Sequence, residues 1–592
     1  MPVEDCVLKG VAGIIVSAFR LFWCLCFKTA RMLHMKFAII TFVLLFTTLV
    51  NSQEPLAGGV RYEHLKIPMR DGIHLSAHAF FPSGKGPWPV LYEQRYADAS
   101  SRGHQEAFAE IAQYGYVVVC GNFRGSQQSE GTWIGYRSLS LGKHKDGYDA
   151  IEWLGRQDWS TGKVGTFGSS QAGYAQNFAA VSRPPSLVAQ YMIDTGLSLY
   201  QEGYRIGGTT RPERFKGMDA VCREPEHNQA LMREWFEHPT FDRYWKAEDT
   251  SRHFRKMNVP CMTIGSWYDF MNQGSIASYI GRQHHGGPQS RGQQKLLIGP
   301  WLHGRFNKGA SVGELVYPEN AAVDLARHMA SWCDYYLKGK SNGVELWPTV
   351  EYYVMGAVGE PGAPGNQWRE VKDWPKTSQT QRKALYLHES GSLHWSPPNA
   401  KSQGMAEYVS DPFAPAEIPG RSFPGARDAR AFETQKNVLV FDTPEFTQPM
   451  ELTGEISAKL FVTSTAQDTD FIVRVSDVYP DGRSILIVDY IQRARYRQGF
   501  EKQVLLEPGK VAELEFHVGY LSQIFNEGHK LRVTIASTGA PLYEPNPQNG
   551  RQATIEFPSD AQRAINTVYY TRPFPSHIKV PLREAVYEGE SK

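Results

Sequence analysis

Two serines stand side by side in the hexapeptide GSSQAG, residues 168 to 173, where an apolar strand pattern (KVGTF) gives way to helix-forming residues. A serine on a sharp strand-to-helix turn is forced outward at the end of its strand, where its hydroxyl can attack a carbonyl. Such a turn demands small residues two places before and two places after the serine. Gly168 and Ala172 meet that demand for Ser170, and Gly173 lets the helix pack closely. Choosing Ser169 would put Phe167 and Gln171 in the crowded positions, so Ser170 is the candidate nucleophile. Taken alone, the segment also fits a purely structural turn.

A serine hydroxyl is weakly nucleophilic at neutral pH and needs a general base, itself oriented by an acid. Two later segments carry such groups just past apolar strand patterns: Asp269 in CMTIGSWYDF and His303 in LLIGPWLHGRF. Singly, Asp269 could cap a loop and His303 could be a surface histidine. In the order nucleophile, acid, base they match one another. Asp194, which ends YMID, is a rival acid, and His284 and His285, in a polar stretch, are weaker rivals for the base. The oxyanion of a tetrahedral intermediate needs two donors. The backbone amide of Gln171 would be one. The phenol of Tyr96, at the end of PVLYEQRY, would be the other, unless that tyrosine merely packs.

The elements that would position these residues alternate in type. Residues 64–82 alternate apolar and polar on either side of Asp71-Gly72, a hairpin signal. The continuous apolar run YVVVC (116–120) is the kind buried in a parallel sheet. Strand and helix patterns then alternate, which predicts an α/β class, with a mostly parallel sheet and helices on both faces, over 53–196 and 254–375. Residues 197–253 read as polar, aromatic and helix-like, without strand runs, and predict a helical cap insertion. From 376 to 592 the helices vanish and short strands recur between turns, the pattern of an all-β sandwich or jelly roll.

With 592 residues, several domains are expected. The 63 Lys plus Arg nearly balance 61 Asp plus Glu, which offers no overall field for nucleic acid or anionic lipid. Aromatics reach 12%, read first as large cores and second as an apolar-acyl or aryl pocket. Cys120, Cys222, Cys261 and Cys333 lack metal-ligand spacing, so neither a zinc site nor a disulfide framework is expected, and no cofactor is called for. Residues 1–52 read as a leader. Lys36 and the apolar run Phe37 to Val50 read as a signal peptide with cleavage near Ser52-Gln53, which predicts an exported protein. Translation is expected to begin at Met35. The alternatives are an unusually long leader or a membrane tether through the second apolar stretch, Val11 to Phe27.

Together these motifs resemble the peptidase S15 group, which holds X-Pro dipeptidyl-peptidases, cocaine esterase and related acylases and amino-acid ester hydrolases. The resemblance runs through MRDG (69–72), FRGSQQSEG (123–131), GSSQAG, GSWYD, GPWLHG, DTDFIVRVSDVYPDGRS (468–484) and EGHKLRVTIAS (527–537). It implies an α/β-hydrolase core, a helical cap, and a C-terminal jelly roll closing over the site. It assigns Ser170 as nucleophile, Asp269 as orienting acid, His303 as base, and the Tyr96 hydroxyl beside the Gln171 amide as oxyanion donors. Amino-acid ester hydrolases of the group hold the substrate ammonium with carboxylates, part of which follow the catalytic aspartate. Here that stretch is Phe270-Met271-Asn272, without charge.

The expected activity is therefore that of a serine hydrolase, of esterase or acylase type, acting on a small-molecule ester or amide. An X-Pro dipeptidyl-peptidase is the alternative enzyme. A secreted binding protein with an inactive core is the alternative of another class.

Overall fold

The structure is a computed structural model that describes residues 56–211, 217–304, 306, 309, 311–374, 380–418 and 425–583. The leader, 1–52, lies outside the described residues.

The hairpin signal at Asp71-Gly72 forms β1 (Arg61–Pro68) and β2 (His74–Phe81), paired antiparallel with Pro68 opposite His74. Gly72 takes φ 87°, the left-handed conformation such a turn needs. The turn is held by Arg124 of the FRGSQQSEG motif. Its buried guanidinium donates to Asp71 at 2.6 Å and to Asp146 at 2.8 and 2.9 Å, which ties three sequence motifs together.

The strands β3 (Trp88–Arg95), β4 (Val117–Asn122), β5 (Ser160–Ser169) and β6 (Leu187–Ile193) follow. The run VVVCGN of β4 is buried at every position, as expected of a strand covered on both faces. After a two-residue hairpin, β7 (Arg205–Ile206) and β8 (Thr209–Thr210), come β9 (Cys261–Ser266) and β10 (Gln294–Gly299). A second small hairpin, β11 (Ser311–Val312) and β12 (Leu315–Val316), precedes β13 (Val350–Val354) and β14 (Gln367–Val371).

Ten of these form one sheet in the order β1-β2-β4-β3-β5-β6-β9-β10-β13-β14. From β4 to β13 every neighbouring pair is parallel. Helices Arg102–Ala112, Asp146–Gly155, Gln171–Ser182, Asn272–His285 and Leu325–Lys338 make the crossovers. The C-terminal ends of β5, β6, β9 and β10 therefore lie side by side, where a parallel sheet places its site.

Between β6 and β9 the chain is helical over Pro225–Glu237 and Arg243–Lys246. The expectation of no strands there is corrected by the β7–β8 hairpin, which turns through Gly207 and Gly208. A Cβ on Gly207 would lie 1.7 Å from the carbonyl oxygen of Ile491, so this close approach of two backbones needs a glycine. Trp235 and Trp245 pack with Phe123, Trp133, Tyr136 and Tyr174 in one aromatic cluster. Much of the aromatic content is thus core.

Eleven strands between Thr380 and Arg583 form a second, almost wholly antiparallel sheet. Its longest ladder joins Met450–Ser464 to Ala512–Phe525. The described cysteines, Cys120, Cys222, Cys261 and Cys333, are free and buried, and burial pushes their thiols up.

Candidate active site

Ser170 follows β5 directly and starts the helix Gln171–Ser182. Its backbone stands at φ 56°, ψ −115°, an unusual conformation for a residue with a side chain, and its hydroxyl caps no helix amide. Strain of this kind persists only where the surroundings impose it. The Ser170 N–H donates to the carbonyls of Ile193 (3.0 Å) and Asp194 (3.1 Å). A Cβ on Gly168 would meet that of Ala172 at 2.7 Å, and one on Gly173 would meet Thr195 at 2.5 Å. The small residues around Ser170 are thus required by packing. Ser169, by contrast, is the last residue of β5 itself.

Asp269 lies three residues beyond β9, with a buried carboxylate. One oxygen accepts from the N–H of Met271 at 2.8 Å, while the other bonds Nδ1 of His303. His303 lies four residues beyond β10 and keeps 18% of its side chain exposed. A carboxylate on Nδ1 fixes the tautomer that leaves Nε2 as the proton acceptor. The Phe270 ring lies against the imidazole, with centroids 6.5 Å apart and planes at 21°.

Asp194, the rival acid, also reaches this place. Its buried Oδ2 lies 3.9 Å from Nδ1 of His303, against the direct bond made by Asp269. Donor atoms of Asp194, Asp269 and His303 all fall within 4.8 Å of one another. Nδ1 of the imidazole is engaged by Asp269, the arrangement of a base oriented by an acid. His284 and His285 end the helix Asn272–His285, whose first residue follows Asp269 closely. About 20 Å of helix separates them from that end. His284 pairs there with Asp373 at 3.1 Å, away from the site.

The loop after β3 is fastened to the residue that follows Ser170. The Gln171 side-chain oxygen accepts from the N–H groups of Tyr96 (2.9 Å) and Ala97 (3.0 Å). The Gln171 carbonyl accepts from the Tyr136 phenol at 3.3 Å. The Tyr96 ring meets Phe123, Trp133 and Tyr136 edge-on. Gln171 opens its helix, and its N–H is among those without an intrahelical acceptor.

A cavity of about 100 Å³ is lined in part by Asp269. It is lined by Trp267, Phe270 and Asn272 from the first sheet's loops, by Glu202, and by Tyr490 and Tyr520 of the second sheet. Sequence reasoning missed Glu202. It is half-buried, its carboxylate accepts from the N–H groups of Leu197 (2.5 Å) and Ser198 (3.0 Å), and desolvation of the carboxylate pushes it up to about 7. Its only signal in the sequence was an acid in an aromatic stretch.

Comparison with known proteins agrees with this architecture. The family model of the X-Pro dipeptidyl-peptidase (S15 family) matches residues 71–227 and 217–305. The model of the X-Pro dipeptidyl-peptidase C-terminal non-catalytic domain matches residues 342–579. A cocaine esterase of Rhodococcus sp. is 27% identical over 583 residues, covering 88% of this chain and 98% of its own. A putative serine esterase of Mycobacterium bovis is 23% identical, covering 90% and 97%. Among solved structures, an α-amino acid ester hydrolase superposes with a TM-score of 0.78 at 24% identity, over 90% of this chain and 99% of its own. An aminopeptidase from a marine-sediment Thaumarchaeota archaeon reaches 0.77 at 24% identity, over 88% and 97%. The chain belongs to the S15 family of serine hydrolases, with an α/β hydrolase part followed by the all-β C-terminal domain of that family.

Proposed function

We propose that this hydrolase cleaves a carboxylic ester, or a closely related amide, through an acyl-enzyme on Ser170. His303 takes the hydroxyl proton as Ser170 attacks the carbonyl carbon, and Asp269 holds the imidazole in the required tautomer and stabilises the imidazolium. The oxyanion that forms is met by the Gln171 N–H and the Tyr96 phenol. His303 then gives its proton to the leaving group. A water activated by the same imidazole releases the acid. The single observation that carries this reading is the Asp269–His303 bond at the C-terminal end of the sheet where Ser170 stands in its strained turn.

The choice of an ester with a fairly apolar acyl group has three supports. The matched cocaine esterase and putative serine esterase act on esters by their names. The stretch Phe270-Met271-Asn272 carries no charge, and the Phe270 ring lies beside the imidazole. Glu202 is engaged by two backbone amides and is poorly placed to act as a free counter-ion.

The test uses protein beginning at Gln53, with Ser170→Ala as control, assayed on short- and medium-chain p-nitrophenyl esters and a Gly-Pro-arylamide. Ester turnover lost in the control supports the reading. Preferential release of the Gly-Pro-arylamide would favour the dipeptidyl-peptidase instead. We also propose export, supported by the Lys36-led apolar run Phe37 to Val50. N-terminal sequencing of the mature protein tests it.

A further inference from the structure

Four neighbouring strands, β5, β6, β9 and β10, lead in succession, within one to four residues of their ends, to Ser170, Asp194, Asp269 and His303. The first, third and fourth of these residues have roles in the reaction above. The second sits between them, and three separate contacts converge on it. Its backbone oxygen accepts the N–H of Ser170 at 3.1 Å. Its fully buried carboxyl places Oδ2 3.9 Å from Nδ1 of His303, the nitrogen that Asp269 holds. The same oxygen lies 3.5 Å from the N–H of Gly304, next to the base. Asp194 also stands at φ 42°, so two strained residues adjoin at the centre of the site, Ser170 being the other.

We infer that Asp194 is a positioning residue of the hydrolytic site, a second carboxyl that shares with Asp269 the holding of the His303 imidazole and whose charge sets the basicity of that imidazole. The inference rests on the assignment of Ser170, His303 and Asp269 as the triad.

The physical argument is that the Asp194 carboxyl, with the Asp269 carboxylate and the His303 imidazole within 4.8 Å, does not ionise independently of their charges. Asp269 keeps the direct bond to Nδ1. Burial, and then the Asp269 charge, push Asp194 up to about 7, while the His303 charge, the Ser266 hydroxyl and the Gly304 N–H act in the opposite sense. Asp269, on the loop after β9, and His303, on the loop after β10, are the charged groups that act on Asp194. From β5 it meets the Ser170 backbone. Below neutrality Asp194 is a neutral acid beside the Asp269–His303 pair. Above neutrality it is a second anion facing Nδ1, and a second anion favours the imidazolium. His303 then becomes a stronger base, and the imidazolium formed during attack is better stabilised.

Asp194→Asn preserves shape and removes the charge. With the Gln53-start enzyme and a p-nitrophenyl ester, the acidic limb of the kcat/KM profile should lie about one pH unit lower in this variant. It should also fit a single ionisation, where the wild-type limb is broader and needs two. At pH 8, kcat should fall by about tenfold, the equivalent of one pH unit, while KM stays within about twofold. A second measurement needs no variant. The pH dependence of Ser170 inactivation by a fluorophosphonate should show the same broad limb in the wild type. Superimposed profiles for variant and wild type, or a one-proton limb in wild-type inactivation, overturn the inference. Wild-type enzyme that takes no label at Ser170 overturns the triad assignment and the inference together. Labelling at Ser170 with superimposed profiles overturns the inference alone.

Discussion

The side-chain oxygen of Gln171 holds the backbone N–H of Tyr96 at 2.9 Å, which joins the loop after β3 to the turn that carries Ser170. Both proposed oxyanion donors therefore belong to one bonded unit, and the position of Tyr96 depends on a side chain next to the proposed nucleophile. Gln171→Ala keeps the Gln171 backbone N–H but frees the loop. Displacing a catalytic group by about 1 Å can cost on the order of 10²-fold, so we expect a 10- to 100-fold fall in kcat. Gln171→Glu, which still offers an acceptor, should recover part of it. Tyr96→Phe should cost on the order of 10²- to 10³-fold if the phenol is a donor to the oxyanion. Steady-state kinetics on one ester compares all three variants, and a fully active Tyr96→Phe enzyme would remove that donor from the mechanism.

Neighbouring serines give a sharp test of the nucleophile. Ser170→Ala should lower turnover by about 10⁶-fold, whereas Ser169→Ala, altering the last residue of β5, should stay within about tenfold of wild type. Asp269→Asn should lower kcat by roughly 10⁴-fold, because an amide at Nδ1 no longer enforces the tautomer. Mass spectrometry of the fluorophosphonate-labelled peptide should place the adduct on Ser170. An adduct on Ser169 would move the nucleophile by one residue.

A buried histidine links the first sheet's loops to the second sheet, and its charge should set how firmly they hold. His529 Nδ1 bonds Asp477 at 2.7 Å, and its Nε2 bonds Glu360, on the loop between β13 and β14, at 3.0 Å. Burial lowers the imidazole's pKa, but the two carboxylates outweigh that and raise it above the usual histidine value. A raised pKa gives stability that is complete below about pH 6.5 and is lost as pH climbs through the folded value. His529→Gln should therefore destabilise most at about pH 6, by roughly 3 kcal/mol for breaking a buried charged pair, and least at about pH 9. Melting curves of both proteins over this range measure the gap, and a gap that does not narrow with pH would argue for a neutral imidazole.

Ser170, Asp269 and His303 could be proposed from the sequence because each stands just beyond a run of apolar residues that reads as a buried strand. Asp194 met the same criterion, yet sequence order could cast it only as a rival to Asp269. That β6 lies between β5 and β9 is a fact of sheet order, made by crossovers that local pattern does not encode. Arg124 was visible as part of a motif, but its partners Asp71 and Asp146 lie 53 and 22 residues away, and nothing local announces the pairing. The β7–β8 hairpin escaped notice because two-residue strands have no periodicity. The second sheet was legible for the opposite reason. Strands such as Asp470–Val478 are long, continuously apolar or alternating, and bounded by turn residues.

Glu202 carries the last prediction. It lines the cavity next to Asp269, and its bonded partners among the described residues are two backbone amides, from Leu197 and Ser198. Burial disfavours its ionised form more than those bonds favour it, so the carboxyl is pushed up to about 7. In an unfolded chain a glutamate ionises near pH 4.3. Between those values the unfolded state has given up a proton that the folded state keeps, and stability falls as pH rises. Above about pH 7 both states are ionised and the loss is complete. Glu202→Gln removes the titration while leaving an acceptor for both amides. The variant should therefore gain on the wild type as pH rises from 4 to 8, by on the order of 3 kcal/mol across the window. Denaturant unfolding at both pH values measures this, and an equal difference at pH 4 and pH 8 would mean that Glu202 ionises in the fold as readily as in water.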